Sequence, residues 1–297
     1  MTTVHVLGNA TVDVVQRVGR LPAPGETLLS AGLERCAGGK GLNQAVAAAR
    51  AGARTRLNAP IGKDADATFL RDALCGEAGL SVEWRVLEAP TDISSIWVSA
   101  DGENMIVSSA ASATGLAAAE ALAALSAMEE GDILVLQGNL SAETTMAAAS
   151  FARDRGARVI LNTAPIAWDM RPLLPLADVL VANGPEARHI TGLSTAEAVQ
   201  ALLGHGCRTV VVTRGAEGAW LGNGDGLVAL SAPKVSPVDT AGAGDVAVGT
   251  LAAMLAEGLA LSEALGIALK AASLSVTRPG TMPSFPTADE ILAQRAS

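Results

Sequence analysis

The chain has 297 residues, 49% hydrophobic and 17% charged, enough for one large domain or a large domain with a smaller attachment. A formal charge of −9 excludes a general binder of nucleic acid or acidic membranes, either of which needs a basic surface. No run of 18 apolar residues occurs, the longest alanine-rich stretches being broken by Glu120, Glu129, Glu257 and Glu263, so no transmembrane helix is expected.

The N-terminus, MTTVHVLGNATVDVV, has no basic segment ahead of an apolar one and does not read as a signal peptide. Cys36, Cys75 and Cys207 are odd in number, far apart and without a CxxC pair. They fit the reduced thiols of a cytoplasmic protein and are read as plain core residues. His5, His189 and His205 have no metal-ligand spacing.

Short β-rich apolar runs alternate along the chain with longer helical patterns. VHVLG (4–8) reads as a buried strand, and residues 12–36 follow with strand character but no helix. Helices are expected near 42–52 and 65–79. Residues 91–109 again have strand character, with Asp101-Gly102 where a tight hairpin turn belongs. Next come a helix near 114–128, the strand DILVLQG (132–138), a helix near 141–155, and the strands ARVILNTAP (157–165) and ADVLVANG (177–184). A helix near 194–204, the strand RTVVVTRG (208–215) and helices near 242–257 and 261–276 complete the series. This alternation predicts an α/β fold on a mostly parallel sheet, with ligands at the carboxyl ends of the strands. The pieces 12–36 and 91–109 are expected to form a small antiparallel sheet beside or over it, a lid made from insertions in one domain spanning residues 1–297.

Several stretches carry polar residues where ligands would bind. In AGGKGLNQAVAAARAGA (37–53), Gly39, Lys40 and Asn43 lie at the mouth of a helix, suited to hydrogen-bonding a polyol; alone, they fit an ordinary exposed cap equally well. The run is not a P-loop, because that motif needs Ser or Thr after the lysine and a glycine five residues before the second one. Those places hold Gly41 and Glu34. VANGPEA and VTRGAEGAW (212–220) are strand-to-helix turns. No GxGxxG follows a strand, which weighs against a nicotinamide-dependent oxidoreductase, and no GxSxG elbow of an α/β-hydrolase occurs.

SPVDTAGAGDVAVGTLAAML (236–255) is the most unusual stretch. From about Gly242 it reads as a helix with Val246, Thr250, Ala253 and Met254 on one face. Gly242, Gly244 and Gly249 each cost such a helix ~1 kcal/mol relative to alanine. A helix start offers free N–H groups and the positive end of the dipole to an anion, and glycines let a phosphate approach the backbone. Asp245 would stand beside that anion, able to accept a proton from an attacking hydroxyl, as phosphoryl transfer requires. Taken alone, the Gly-Ala-Gly fits equally well a junction of small residues chosen for packing.

Together these stretches resemble the ribokinase family, also called the phosphofructokinase-B family of carbohydrate kinases. GGKGLNQAVAAARAGA resembles its N-terminal signature, DTAGAGD its C-terminal signature DTxGAGD, and Asn183 with Glu186 its NxxE motif. The likeness runs from VLGNATVD to SVTRPGTMPSFPT (275–287), nearly the whole chain. It implies a ribokinase-like α/β fold with a β-sheet lid that also forms a dimer contact, and an ATP-dependent sugar kinase, first of all D-ribose to ribose 5-phosphate. It implies Asp245 as catalytic base, and the N–H groups of Ala241 or Gly242, Ala243 and Gly244 as an anion hole. Asp13, Gly39, Lys40 and Asn43 then bind the sugar. Glu186 with Asn183 organises Mg²⁺ through water, and Thr213, Arg214, Gly215, Ala216, Glu217, Gly218, Ala219 and Gly244 border the nucleotide. Asp239, Ala241, Ser275, Arg278, Gly280 and Ser284 match a monovalent-cation loop, implying K⁺.

Two departures bear on the substrate. Ribokinases often carry Asn two residues before the sugar-binding Asp, where this chain has Thr11. They also often carry a Glu that reaches the sugar near the place of Asn139. Another pentose or ketose, a sugar phosphate or a nucleoside therefore stays open, as does a non-catalytic sugar sensor. Apolar residues in the expected lid (Leu28, Leu29, Ile96, Trp97, Val98, Ile106, Val107) point to a homodimer through it.

Overall fold

Strands that are apolar without alternation have to be covered on both faces, and in this chain two layers of helices do so. In the computed structural model, which describes residues 2–101 and 103–295, the first half contains β1 (Thr3–Leu7), β2 (Thr11–Val18), β3 (Gly32–Gly38), α1 (Lys40–Arg50), β4 (Arg54–Ile61), α2 (Ala65–Ala73), β5 (Leu80–Val86), β6 (Asp92–Ser99), β7 (Asn104–Ser108), α3 (Ala111–Gly115), α4 (Ala118–Ala124) and β8 (Ile133–Leu136). The second half continues with α5 (Ala142–Asp154), β9 (Arg158–Asn162), β10 (Val179–Asn183), α6 (Gly184–Thr191), α7 (Thr195–Gly204), β11 (Val210–Thr213), β12 (Ala219–Asn223), β13 (Gly226–Leu230), α8 (Ala243–Ala256), α9 (Leu261–Ser275) and α10 (Ala288–Arg295).

Among the described residues nine strands form the main sheet in the order β13-β12-β11-β10-β9-β8-β1-β4-β5. Its pairings from β5 to β11 are parallel, and β12 and β13 add an antiparallel edge. One face packs against α1, α2, α8, α9 and α10, through residues such as Leu42, Val46, Leu251, Met254 and Ile267. The other packs against α4, α5, α6 and α7, through Leu125, Ala148, Ala187 and Val199. The pattern missed β4, β5, β12, β13, α6 and α10. In β4, Arg54, Arg56 and Pro60 interrupt the apolar run, and β5 is only half-buried. The expected helix near 114–128 is broken between Gly115 and Ala118 into α3 and α4.

The small sheet has the order β3-β2-β6-β7. It is not antiparallel throughout, as its sequence suggested: β2 and β6 pair in parallel, from Thr11 opposite Asp92 to Val18 opposite Ser99. Between them the chain runs through β3, α1, β4, α2 and β5, the long crossover that parallel neighbours require. β6 and β7 are the arms of the hairpin expected around Asp101-Gly102; Gly102 lies outside the described residues. The cysteines also differ from expectation. Only Cys207 is a core residue, its thiol pushed up to about 12 by burial, while Cys36 is half-buried and Cys75 exposed.

Candidate active site

The chain's course across the sheet reverses at β1, with β4 and β5 on one side and β8 to β11 on the other. At such a switch point the carboxyl ends of neighbouring strands splay and leave a crevice for ligand. The residues that end these strands are polar: Asn9 after β1, Gln137 and Asn139 after β8, Asn162 in β9, and Asn183 in β10.

Asp245 is the third residue of α8 and is 5% exposed. Its Oδ2 accepts from Asn43 Nδ2 at 3.1 Å, its Oδ1 from Gln44 Nε2 at 3.0 Å, and Lys40 Nζ stands 3.6 Å from Oδ1. Three residues of the first turns of α1 therefore converge on one carboxylate. They reach it because α1 starts abruptly. Gly39, its N-cap, has φ 95°, and a Cβ there would lie 2.9 Å from Ala10 Cα and Thr11 N. Only glycine turns the chain so closely against β2.

Asp13, near enough to Asp245 to feel its charge, is buried, accepts from Thr11 Oγ1 at 2.8 Å, and bonds to Ser94 across the β2–β6 pairing. Burial pushes its carboxyl above the ordinary 3.8. The bonds from Thr11 and Ser94 oppose that rise, and the charge of Asp245 adds to it. The folded state thus holds this proton more tightly than the unfolded chain. The resulting stability is fully present below the ordinary value and is lost as pH rises through the elevated one. Asp13→Asn removes that loss. Its melting temperature relative to the parent should rise as pH is raised above the ordinary 3.8, and a difference that stays flat across calorimetric scans would contradict the account.

A cleft of about 1020 Å³ opens beside the N-terminus of α8, lined by Asn183, Thr213, Arg214, Gly215, Ala216, Glu217, Gly218, Ala243 and Gly244, with Ala247, Leu269, Ala272 and Val276 at its apolar end. Ala219, expected among the lining, is fully buried in β12. Arg214 lies over the Trp220 ring at 5.1 Å and pairs with Glu217 at 2.8 Å. The loop Ala232, Pro233, Lys234, Val235 and Pro237 also lines the cleft; nothing in its sequence marks it as a wall.

Asn183 and Glu186 form the capping box of α6. Asn183 Oδ1 accepts from Glu186 N at 2.8 Å, and the Glu186 carboxylate accepts from Asn183 N at 3.0 Å and Asn183 Nδ2 at 2.7 Å. Thr163 Oγ1 donates to the same carboxylate at 2.7 Å, a partner no motif signals. Asp239 joins two segments: its Oδ1 accepts from Ala241 N at 2.9 Å and its Oδ2 from Gly280 N at 3.0 Å. Ser275 Oγ donates to Ala272 O, Ser284 Oγ to Thr281 O, and the Arg278 guanidinium pairs with Glu290 of α10, holding that carboxyl at about 2. Asn139 is half-buried, its Oδ1 without a protein partner.

Among the described residues no helix is long and apolar enough to cross a membrane. The pfkB family carbohydrate kinase profile matches residues 1–288. A ribokinase of Haemophilus influenzae is 31% identical over 298 residues, covering 98% of this chain and 97% of its own. The crystal structure of a ribokinase from Thermotoga maritima superposes with a TM-score of 0.92 at 29% identity, covering 100% of both chains. An Arabidopsis thaliana ribokinase solved with ribose and ATP superposes at 0.86 and 27% identity, covering 99% of this chain and 98% of its own.

Proposed function

The chain belongs to the pfkB family of carbohydrate kinases, and from that premise we propose that it is an ATP-dependent kinase that phosphorylates D-ribose to ribose 5-phosphate. The observation that carries the reading is Asp245. Its carboxylate is buried one residue past the cleft-lining Ala243 and Gly244, and it is tied to Lys40 and Asn43 on the side of Asp13. A hydroxyl held there by Asp13 and Asn43, whose Oδ1 has no protein partner, gives its proton to Asp245 and attacks the γ-phosphorus of ATP in the cleft. The O–P bond to the sugar forms as the bond to ADP breaks. The N–H groups at the start of α8 face the phosphoryl oxygens as their charge is redistributed.

Mg²⁺, when bound, neutralises charge on the ATP phosphates. Glu186 suits it through water: its oxygens already accept three protein hydrogen bonds, and no cluster of three His, Cys, Asp or Glu side chains occurs among the described residues. For K⁺ the donor types of the matched residues fit too: a carboxylate, Asp239, with backbone oxygens and hydroxyls from Ala241, Ser275, Arg278, Gly280 and Ser284. Asp239 also fixes Ala241, next to the α8 turn, to Gly280. Asp239→Ala should lower turnover and abolish any stimulation by K⁺, read as ADP release with ATP and Mg²⁺.

The small sheet serves as the sugar's lid. Its row Cys36–Asp13–Ser94–Ser108 covers the sugar side, and the next row on that face, Glu34–Val15–Ile96–Ile106, is apolar from Val15 to Ile106. Ile106 on this face stays 54% exposed, surface that a second copy's lid would cover. Sedimentation at micromolar concentration should therefore give a dimer, and Ile106→Asp should give a monomer; a parent chain that sediments as a monomer would defeat this. The function is tested by ADP release with ATP and Mg²⁺ over pentoses, ketohexoses, sugar phosphates and nucleosides. Saturable turnover best on ribose supports the reading. Preference for another compound moves specificity to Thr11 and Asn139, and silence across the panel overturns the kinase.

A further inference from the structure

Gln44 is fully buried inside α1, where its side chain could have been apolar at no cost to the helix. Instead it sits at the centre of a chain of amides whose direction is set at one end. Asn162 Nδ2 donates to the carbonyl of Val181 at 3.1 Å, and a backbone carbonyl can only accept. Asn162 Oδ1 must then face the other way, where it accepts from Gln44 Nε2 at 3.1 Å. Gln44 Oε1 is left to accept from Gln137 Nε2 at 2.8 Å. Gln137 Oε1, with no partner, faces Gly8, where a Cβ would come within 2.0 Å of it. Four side chains and one main-chain oxygen thus admit a single orientation, in which the N–H group of Gln44, not its oxygen, points at Asp245 Oδ1 from 3.0 Å.

We infer that Gln44 is a positioning residue for the phosphoryl transfer proposed above, on which this inference rests. Through the relay Gln137–Gln44–Asn162–Val181 the sheet commits Oδ1 of Asp245 to a protein donor. Among the described residues Oδ2 keeps only the bond from Asn43, whose own oxygen has no protein partner. The carboxylate is thereby held at one rotation about its χ2 torsion, with Gln44 as a fixed buried donor to Oδ1. Lys40, at 3.6 Å and partly exposed, supplies charge but no comparable fixed geometry. The relay belongs to β8, β9, β10 and α1 and to neither ligand pocket, so Gln44 acts on the base without touching sugar or nucleotide.

The test is the pH dependence of kcat/KM for the sugar. Gln44→Leu removes the donor, so kcat should fall about tenfold or more with the sugar KM little changed, and the acidic limb of the profile should move to higher pH. Gln44→Glu keeps the size and the acceptor for Gln137, and so keeps the test decisive if the leucine variant does not fold. It sets a second carboxyl beside Asp245, and the pair has to share a proton, so the limb should move further, by about one pH unit or more. A residue that merely packs would change melting temperature and leave the limb in place; an unshifted limb in Gln44→Glu overturns the inference. Asp245→Asn distinguishes the two failures. If it retains activity, the assignment of the base is wrong; if it is inactive while the Gln44 profiles superpose on the parent's, only the relay is wrong.

Discussion

Asp245→Asn should reduce turnover by ~10²–10⁴-fold while the protein keeps its fold and its melting temperature to within a few degrees. The rate loss is what a placed general base contributes to proton transfer. The amide matches the carboxylate in size and cannot take the proton from the sugar hydroxyl. Retention of the fold follows from the neighbours. Gln44 Nε2 can still donate to an amide oxygen at Oδ1, and Asn43 now presents Nδ2 to Oδ2 while its Oδ1 has no partner. Rotation of the Asn43 amide by half a turn would offer that free oxygen to the new N–H group and leave the Asn43 N–H₂ where the partnerless oxygen had been, a cost of ~1–3 kcal/mol that lowers the melting temperature without unfolding the chain. Lys40 loses its ion pair but is partly exposed, and such a pair adds little to stability. ADP release and thermal melts on the same preparation read both quantities. Turnover equal to the parent's would remove Asp245 from the chemistry, and a collapsed fold would show that its role is structural.

Sequence pattern and structure agree best where one interaction dominates. The five strands read from sequence lie in the parallel part of the sheet, because a strand buried on both faces shows as an uninterrupted apolar run. α8 was legible as an apolar helix, although it is buried all round rather than on one face. Elements whose stability comes from partners far along the chain left weaker marks. β4 carries arginines and a proline, and the parallel pairing of β2 with β6 depends on a crossover that no local pattern encodes. The site divides in the same way. Asp13, Lys40, Asn43, Asn183, Glu186 and Asp245 stand in short motifs with turn-forming neighbours, and the structure brings Asp13, Lys40 and Asn43 together around Asp245. Gln44, Thr163 and Ser94 were invisible because each is an ordinary helix or strand residue until another strand end is folded against it. Asn183 and Glu186 carry a further lesson, since the motif also encodes the capping box that starts α6. Its local role would account for the pair in any protein, and the cleft beside Asn183 is what adds a functional reading.

The glycines of α8 give the second large effect, because the three are required for different reasons and substitution separates them. Gly249 serves packing: a Cβ would lie 2.4 Å from the Gln44 carbonyl oxygen and 2.6 Å from Ala47 Cβ, so it sets how closely α8 approaches α1. Gly242 serves the turn. It is the N-cap with φ 77°, and a Cβ there would meet Thr281 Cγ2 at 2.7 Å and the buried Phe285 ring at 2.8 Å. Alanine at that position pays ~1–2 kcal/mol for left-handed backbone before any clash is counted. Gly242→Ala should therefore lower melting temperature as well as turnover. Gly244 is the informative one. A Cβ there would touch nothing within 4 Å, and the position is exposed to the cleft. Alanine is ~1 kcal/mol better than glycine within a helix, so Gly244→Ala should melt no lower than the parent and by propensity somewhat higher. If the phosphoryl group lies against this turn, the added methyl stands where its oxygens must approach the N–H groups. Loss of one such contact costs ~10²–10³ in turnover where it has been measured in acyl transfer. A variant that is more stable and nearly inactive would leave ligand approach as the reason for glycine at 244. A variant that is more stable and fully active would put the transferred phosphoryl elsewhere in the cleft.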